Sequence, residues 1–222
     1  MSKHILMVVT TADKMNEELD TGLWLSEFGE AYLEFVKQGY TITVATPKGG
    51  KAPVDERSLE GGETPQEILD TAVHLENTKK LEDLDHTEQY DAIFLPGGHG
   101  TMFDLPDNKK LHDIIQDLYE ADKVVAAVCH GPAGLVGVKR SDGSPLVKGH
   151  TVTSFTDEEE RATTLDAYMP FLLETRLREL GADFSAKENW TDHVQVSGKL
   201  ITGQNPQSTI SVAKKVVEQL NK

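Results

Sequence analysis

The most constraining feature of this sequence is a set of short runs that are apolar almost throughout, rather than at every second position. They cover residues 5–9, 42–45, 92–95 and 124–128. Runs of this length are typical of strands rather than helices, and a strand that is apolar on both sides must be buried on both faces. The chain is therefore expected to form a sheet that is covered on each side.

Helical patterns separate and follow these runs. Apolar residues recur at helical spacing over residues 24–35, 111–119, 168–180 and 210–220. Gly39 and Gly181 stand where the first and third of these helices should end. Residues 194–201 differ, because they alternate and turn at Ser197-Gly198, which predicts a β-hairpin.

Strands that alternate with helices predict βαβ units and a parallel sheet. The expected fold class is therefore α/β: a flavodoxin-like three-layer α/β/α sandwich with a mostly parallel sheet and a late β-hairpin. The least regular segment, residues 49–85, is expected to supply loops and short helices along one edge of the sheet. With no repeat or linker in the sequence, we expect a single domain over residues 1–222.

The charge balance narrows the choice of partners. The chain has 22 Lys and Arg against 37 Asp and Glu, and its net charge of −15 repels nucleic acid and anionic membrane surfaces. No apolar run approaches the roughly 20 residues of a membrane span, and the N-terminal segment is too short and strand-like for a signal peptide. The only cysteine, Cys129, allows no intrachain disulfide. These features favour a cytoplasmic protein that binds neither nucleic acid nor membrane.

Cys129 stands at a position where catalytic nucleophiles are found. It ends the predicted strand 124–128, and a segment that begins near Gly131 is expected to open a helix. Strand, sharp turn with a nucleophile, then helix is the order of a nucleophile elbow. The helix N-terminus is expected to lower the pKa of the thiol and favour the thiolate. Cys129 is thus a candidate nucleophile rather than a buried structural thiol.

A glycine-rich turn follows another predicted strand. Residues 95–100 read Leu-Pro-Gly-Gly-His-Gly, and successive glycines let backbone N–H groups converge on a small anion, as in an oxyanion hole. No Gly-Lys-Ser/Thr follows, and the first strand is not followed by a dinucleotide-binding glycine pattern. The histidines show no metal-ligand spacing. We therefore expect neither a cofactor nor a metal.

These two motifs carry a family resemblance that covers nearly the whole chain. Residues 126–133 (Ala-Ala-Val-Cys-His-Gly-Pro-Ala) and residues 95–100 resemble the ThiJ/PfpI superfamily. Residues 22–27, 154–160 and 200–208 make the chain most similar to the branch of stress-inducible chaperones and glyoxalase III enzymes. The Gly-x-Cys-x-Gly elbow of the related glutamine amidotransferases has Ala127 in place of its first glycine, which disfavours amidotransfer.

The resemblance implies a role for each of six residues. Cys129 matches the nucleophile, Glu27 the buried glutamate that hydrogen-bonds its sulfur, His130 the adjacent histidine, Glu160 the acid that orients this histidine, and Gly98 and His99 the loop whose backbone faces the site and binds substrate. The acids of residues 157–159 stay as alternatives to Glu160. Burial beside a thiolate should raise the pKa of Glu27 and keep it protonated, so that it acts first as an acid and then as a base.

The function that the resemblance implies is a glutathione-independent glyoxalase III. Such an enzyme is a cofactor-independent lyase that converts methylglyoxal to lactate, here through a hemithioacetal on Cys129, and protein deglycase activity would use the same residues. The expected partners are a small reactive aldehyde and a second copy of the chain in a homodimer. A stress-inducible holdase chaperone, a Cys-dependent peptidase or amidase, and a redox sensor oxidised at Cys129 stay as alternative functions.

Overall fold

The computed structural model describes residues 2–222, and its centre is a seven-stranded sheet with the order β3-β2-β1-β4-β5-β9-β8. The strands are β1 (His4–Val8), β2 (Thr41–Thr46), β3 (Lys79–Lys80), β4 (Ala92–Leu95), β5 (Val124–Val128), β6 (Thr151–Val152), β7 (Asp183–Phe184), β8 (Val194–Ser197) and β9 (Leu200–Gly203). All neighbours in this sheet are parallel except β8 and β9, which form the expected antiparallel hairpin. Strands β6 and β7 form a separate two-stranded sheet.

Helices cover both faces of the sheet. They are α1 (Leu25–Lys37), α2 (Gln66–Asp70), α3 (Thr101–Asp104), α4 (Lys109–Glu120), α5 (Asp157–Ala162), α6 (Leu173–Glu179) and α7 (Thr209–Leu220). Between residues 2 and 222 no helix has the length and apolar character needed to cross a bilayer.

The apolar core is divided by the sheet into two clusters, and β1 contributes to both. Leu6 and Val8 pack in the cluster that includes the buried face of α4, whereas Ile5 and Met7 pack in the cluster that includes α1 and α7. Successive residues of a strand point to opposite faces, so a fully apolar strand fills both clusters. The sequence-based prediction of a mostly parallel α/β/α sandwich is thereby confirmed.

One predicted helix is shorter than expected. The pattern over residues 168–180 forms only a 3₁₀ turn at Asp166–Tyr168 followed by the shorter helix α6, which begins at Leu173. Pro170 explains the break, because a proline disfavours helical backbone at the residue before it. Met169 is accordingly extended, with φ −77° and ψ 140°. The irregular segment 49–85 does form short helices, together with the edge strand β3.

Strand register brings three loops together at one edge of the sheet. Leu95 at the end of β4 pairs with Ala127 of β5, so that the glycine-rich turn lies beside Cys129. On the other side of β5, Val128 pairs with Gly203 at the end of β9. Ligand sites of open parallel sheets lie at this carboxyl edge.

The sheet core supplies a stability prediction at Phe94. This side chain is fully buried in β4, and its ring makes an edge contact with Phe35 of α1 at 5.6 Å between centroids. We expect Phe94→Ala to lower the free energy of unfolding by about 3–5 kcal/mol in urea denaturation, because it removes buried area and leaves a cavity. Val73→Ala is the control, since Val73 is 66% exposed. Equal losses in the two variants would contradict this account of the core.

Candidate active site

Cys129 lies in a strained turn directly after β5. Its φ of 62° falls in the left-handed region, which is unusual for a residue with a side chain and is common at functional sites. Gly131 makes the turn possible, because a Cβ at this position would lie 2.0 Å from the carbonyl oxygen of Leu95. The backbone of Cys129 is held on both sides: its N–H donates to Gly203 at 2.9 Å, and its carbonyl accepts from Phe155 at 2.8 Å.

Glu27, in the first turn of α1, is fully buried beside Cys129. Burial raises the pKa of Glu27 to about 8, against smaller opposing effects of the Gly97 N–H and the Cys129 thiol. The carboxyl is therefore protonated at neutral pH. Its Oε1 accepts the Gly97 N–H at 2.8 Å, while Oε2 has no hydrogen-bond partner among the described residues. We infer that Oε2 carries the proton and is free to give it to a substrate.

The thiol of Cys129 is also neutral, and here the sequence-based expectation of a thiolate is wrong. Burial raises the pKa of Cys129 well above its ordinary value, and Glu27, Glu159 and Glu160 act in the same direction. The backbone N–H of His130 opposes them without reversing the shift. The expected helix is a 3₁₀ segment of 5 residues, Gly131–Leu135, which has too few aligned peptides for a strong dipole.

A chain of hydrogen bonds leads away from the sulfur. His130 Nδ1 lies 3.5 Å from Cys129 Sγ, and His130 Nε2 lies 2.5 Å from Oε2 of Glu160. The second oxygen of Glu160 is 2.5 Å from Nε2 of His99. A carboxylate only accepts hydrogen bonds, so each Nε2 carries a hydrogen and donates it. In the neutral form of this imidazole, Nδ1 of His130 presents a lone pair to the thiol.

Glu160 is the charged group of this site. Although burial acts in the opposite direction, His130 and His99 hold the pKa of Glu160 well below its ordinary value. Burial and the neighbouring His130 lower the pKa of His99, so this imidazole is neutral. Two of the neighbouring acids that the sequence left as alternatives have other positions. Glu159 accepts a hydrogen bond from the backbone N–H of Trp190, and Glu158 is exposed.

A cavity of about 80 Å³ opens onto the sulfur. Five of the predicted site residues line it: Glu27, Gly98, His99, Cys129 and His130. No role was predicted from the sequence for the other lining residues, which are Trp24, Phe155, Thr163, Trp190 and Pro206. Of these, Trp24, Phe155 and Pro206 belong to the stretches that carry the family resemblance, so a signal for them was present. Trp190 had none.

The structure also changes the part expected of the glycine-rich turn. Gly98 has a φ of 105°, and a Cβ there would lie 2.4 Å from the carbonyl oxygen of Gly22, so only glycine fits. Gly97 also packs tightly, since a Cβ there would lie 2.6 Å from the backbone nitrogen of His130 and 2.8 Å from Oε1 of Glu27. His99 contributes its side chain to Glu160, whereas the sequence singled out only its backbone.

Three of these side chains also have the donor types of a metal site. The ligating atoms of His99, His130 and Glu160 all lie within 4.8 Å of one another, and no other such group occurs among residues 2–222. Two imidazoles and a carboxylate suit Zn²⁺ or another divalent ion. Such an ion would compete with the two hydrogen bonds that already engage Glu160. The spacing in the sequence, over some sixty positions, gave no sign of this convergence.

Comparison with known proteins identifies the family. The profile of the DJ-1/PfpI family matches residues 19–219. The chain belongs to the DJ-1/PfpI family. Among curated relatives of this DJ-1/PfpI protein, Glyoxalase 3 of Candida albicans is 34% identical over 89% of each chain. HSP31 of Saccharomyces cerevisiae, named a glutathione-independent glyoxalase, is 29% identical over 98% of each chain.

Solved structures agree with this assignment. Glyoxalase III from Candida albicans matches with a TM-score of 0.90 and 31% identity, over 97% of this chain and 96% of that one. Rapid Encystment Protein 24 KDa of Francisella tularensis matches with a TM-score of 0.91 and 34% identity, over 98% of this chain and 99% of that one. The resemblance inferred from the sequence motifs is confirmed.

The raised pKa of Glu27 predicts how stability depends on pH. Because the pKa is about 8 in the folded chain and 4.5 in the reference state, the folded chain holds one extra proton between these values. The contribution of this proton to the free energy of unfolding is fully present below pH 4.5. It decreases by up to about 1.4 kcal/mol per pH unit as the pH rises toward about 8. In urea denaturation between these two pH values, the free energy of unfolding of Glu27→Gln should therefore decrease less steeply with pH than that of the wild type.

The matched control for this experiment is Glu67→Gln, which changes an exposed carboxyl on α2. It should keep the wild-type pH dependence, because it leaves the buried carboxyl of Glu27 in place. Parallel curves for wild type and Glu27→Gln would mean that Glu27 is ionised at neutral pH.

Proposed function

We propose that this DJ-1/PfpI protein is a glutathione-independent glyoxalase that converts methylglyoxal to lactate. The observation that carries the proposal is that the Cys129 thiol and the Glu27 carboxyl, both buried, line one small cavity. Isomerising an α-oxoaldehyde needs a nucleophile for the aldehyde carbon and a group that carries a proton between adjacent carbons. The printed names of the relatives support the same activity.

The first step would be addition of the thiol to the aldehyde. The Cys129 proton passes to Nδ1 of His130 as the bond from sulfur to the aldehyde carbon forms, and Glu27 gives its proton to the aldehyde oxygen. This produces a hemithioacetal, a Glu27 carboxylate and a His130 imidazolium, which the adjacent Glu160 carboxylate stabilises. Since the thiol is neutral at rest, proton loss and carbon–sulfur bond formation are coupled.

The second step would move hydrogen from one carbon to the next. Glu27 takes the C1 hydrogen as a proton while His130 protonates the C2 oxygen, which gives an enediol. Glu27 then returns its proton to C2, and the C1 hydroxyl gives its proton to His130. The product is a lactyl thioester of Cys129, with Glu27 again ionised and His130 again protonated.

Hydrolysis would close the cycle. Glu27 takes a proton from water as the hydroxide attacks the thioester carbon, and His130 returns its proton to the departing sulfur. Lactic acid leaves and ionises, and the three side chains recover their starting protonation states. One water is consumed and no electrons are exchanged with the protein, so the cycle requires neither glutathione nor a redox cofactor.

The cavity favours this reaction over peptide cleavage. Its volume is only about 80 Å³, whereas a peptide has to lie extended across its nucleophile. A holdase would need a contiguous exposed apolar patch, and this alternative stays a prediction. The homodimer, the cytoplasmic location and the deglycase activity stay predictions.

The first functional prediction concerns the thiol and the carboxyl together. Lactate formation from methylglyoxal, measured without glutathione and in the presence of a chelator, should occur with the wild-type protein. Cys129→Ser should lower it by about 10³-fold or more, and Glu27→Gln by about 10²–10⁴-fold, because they remove the nucleophile and the proton carrier. Glu67→Gln should retain it. Full turnover by Cys129→Ser would exclude the proposed mechanism.

The second functional prediction concerns Glu160. In Glu160→Gln the amide NH₂ replaces one of the two oxygens that accept from His99 and His130. An NH₂ group cannot accept an N–H, so at least one of these histidines must change its tautomer. We expect kcat to fall by about 10²-fold or more. The control is Glu158→Gln, which changes the exposed acid two positions earlier on α5. Equal activity of the two variants would show that His130 does not depend on Glu160.

A further inference from the structure

Glu159 is a buried carboxylate that the proposed mechanism does not use. Its side chain is fully buried, yet it forms no ion pair among the described residues. Oε1 accepts the backbone N–H of Trp190 at 2.9 Å and the side-chain amides of Gln204 and Asn205 at 3.0 Å each. Oε2 accepts the N–H of Thr156 at 3.1 Å. A buried carboxylate with four donors around it is a fixed structural centre.

This centre joins the segment before Trp190 to the turn after β9. The Gln204 amide donates to the carbonyl of Lys187 at 3.2 Å and accepts its N–H at 2.9 Å. The Asn205 amide donates to the carbonyl of Thr191 at 2.8 Å. Residues 187–191 are therefore tied at both ends to residues 204–205, part of the stretch that carried the branch-level resemblance.

Trp190 is the residue that this arrangement holds against the active site. Its backbone has a φ of 62°, so a side chain here is held in a left-handed conformation. The indole lines the cavity at Cys129 and packs on the ring of Phe155 at 5.6 Å, which in turn packs on His130 at 4.4 Å. Trp190 is 43% exposed, which places it at the mouth of the cavity.

We propose that Trp190 is a specificity-determining residue, and that Glu159 is the positioning residue that fixes it. The indole narrows the entrance and restricts the cavity to short, unbranched carbonyl compounds such as three-carbon α-oxoaldehydes. The substrate class in this proposal rests on the proposed glyoxalase function, whereas the size limit rests on geometry alone. Glu159 acts through Trp190 and touches no substrate.

The first test compares two substrates of different size. Wild type, Trp190→Ala and the control Tyr168→Ala, which removes an aromatic side chain that is 45% exposed, are assayed with methylglyoxal and phenylglyoxal. We expect Trp190→Ala to raise the ratio of kcat/KM for phenylglyoxal over methylglyoxal by about tenfold or more, and Tyr168→Ala to leave it unchanged. An unchanged ratio in Trp190→Ala would overturn the proposal.

The second test does not depend on turnover. Alkylation of Cys129 by the small reagent iodoacetamide and the bulky reagent N-phenylmaleimide is followed by intact-protein mass spectrometry. Trp190→Ala should accelerate only the reaction with the bulky reagent, again by about tenfold or more. If the wild-type protein forms no lactate but this selectivity holds, the glyoxalase function fails while the size limit stands. Equal acceleration with both reagents would overturn the size limit.

The positioning role of Glu159 is tested by a double-mutant cycle. Glu159→Gln puts an amide NH₂ among N–H donors, so the Trp190 segment should loosen and the alkylation selectivity should shift as in Trp190→Ala. Because Glu159 acts through Trp190, the double variant should show no further shift. Circular dichroism confirms that each variant is folded. A Glu159→Gln variant with wild-type selectivity, or shifts that add in the double variant, would exclude the positioning role.

Discussion

The site depends on burying a carboxyl and a thiol side by side at the carboxyl edge of the sheet. Two acidic groups that are buried side by side do not readily ionise together, and burial alone already disfavours each charge. The protein therefore keeps Glu27 and Cys129 protonated. The negative charge lies instead on Glu160, on the far side of the His130 ring. This separation leaves two protons beside the cavity and a base next to the sulfur.

Backbone geometry is what allows this packing. Gly97 and Gly131 stand where any Cβ would meet backbone atoms, and Cys129 adopts a left-handed conformation. Such a conformation costs of order 1–3 kcal/mol. The fully buried strands β4 and β9, which flank β5, offset that cost and hold Cys129 in place. This strained residue places the thiol of Cys129 beside both the Glu27 carboxyl and the His130 imidazole.

The sequence predicted those parts of the molecule that local patterns determine. Apolar runs such as residues 124–128 identified the central strands. The motif around Cys129, through the resemblance, pointed to Glu27, His130 and Glu160, which the structure brings into one cluster with this cysteine. The failures have tertiary or single-residue causes. Pro170 broke a helix that the apolar spacing alone had favoured. The thiol pKa depends on burial by groups distant in the chain, and the contact between His99 and Glu160 joins residues 61 positions apart.

The most direct test of this account is an infrared difference spectrum of wild type minus Glu27→Gln, recorded as a function of pH. The account predicts a protonated-carboxyl C=O band at neutral pH that belongs to Glu27 and disappears as the pH rises through about 8. A thiol S–H band that is absent in Cys129→Ser should accompany it. Carboxylate bands from Glu27 at neutral pH, with no S–H band from Cys129, would contradict the central claim.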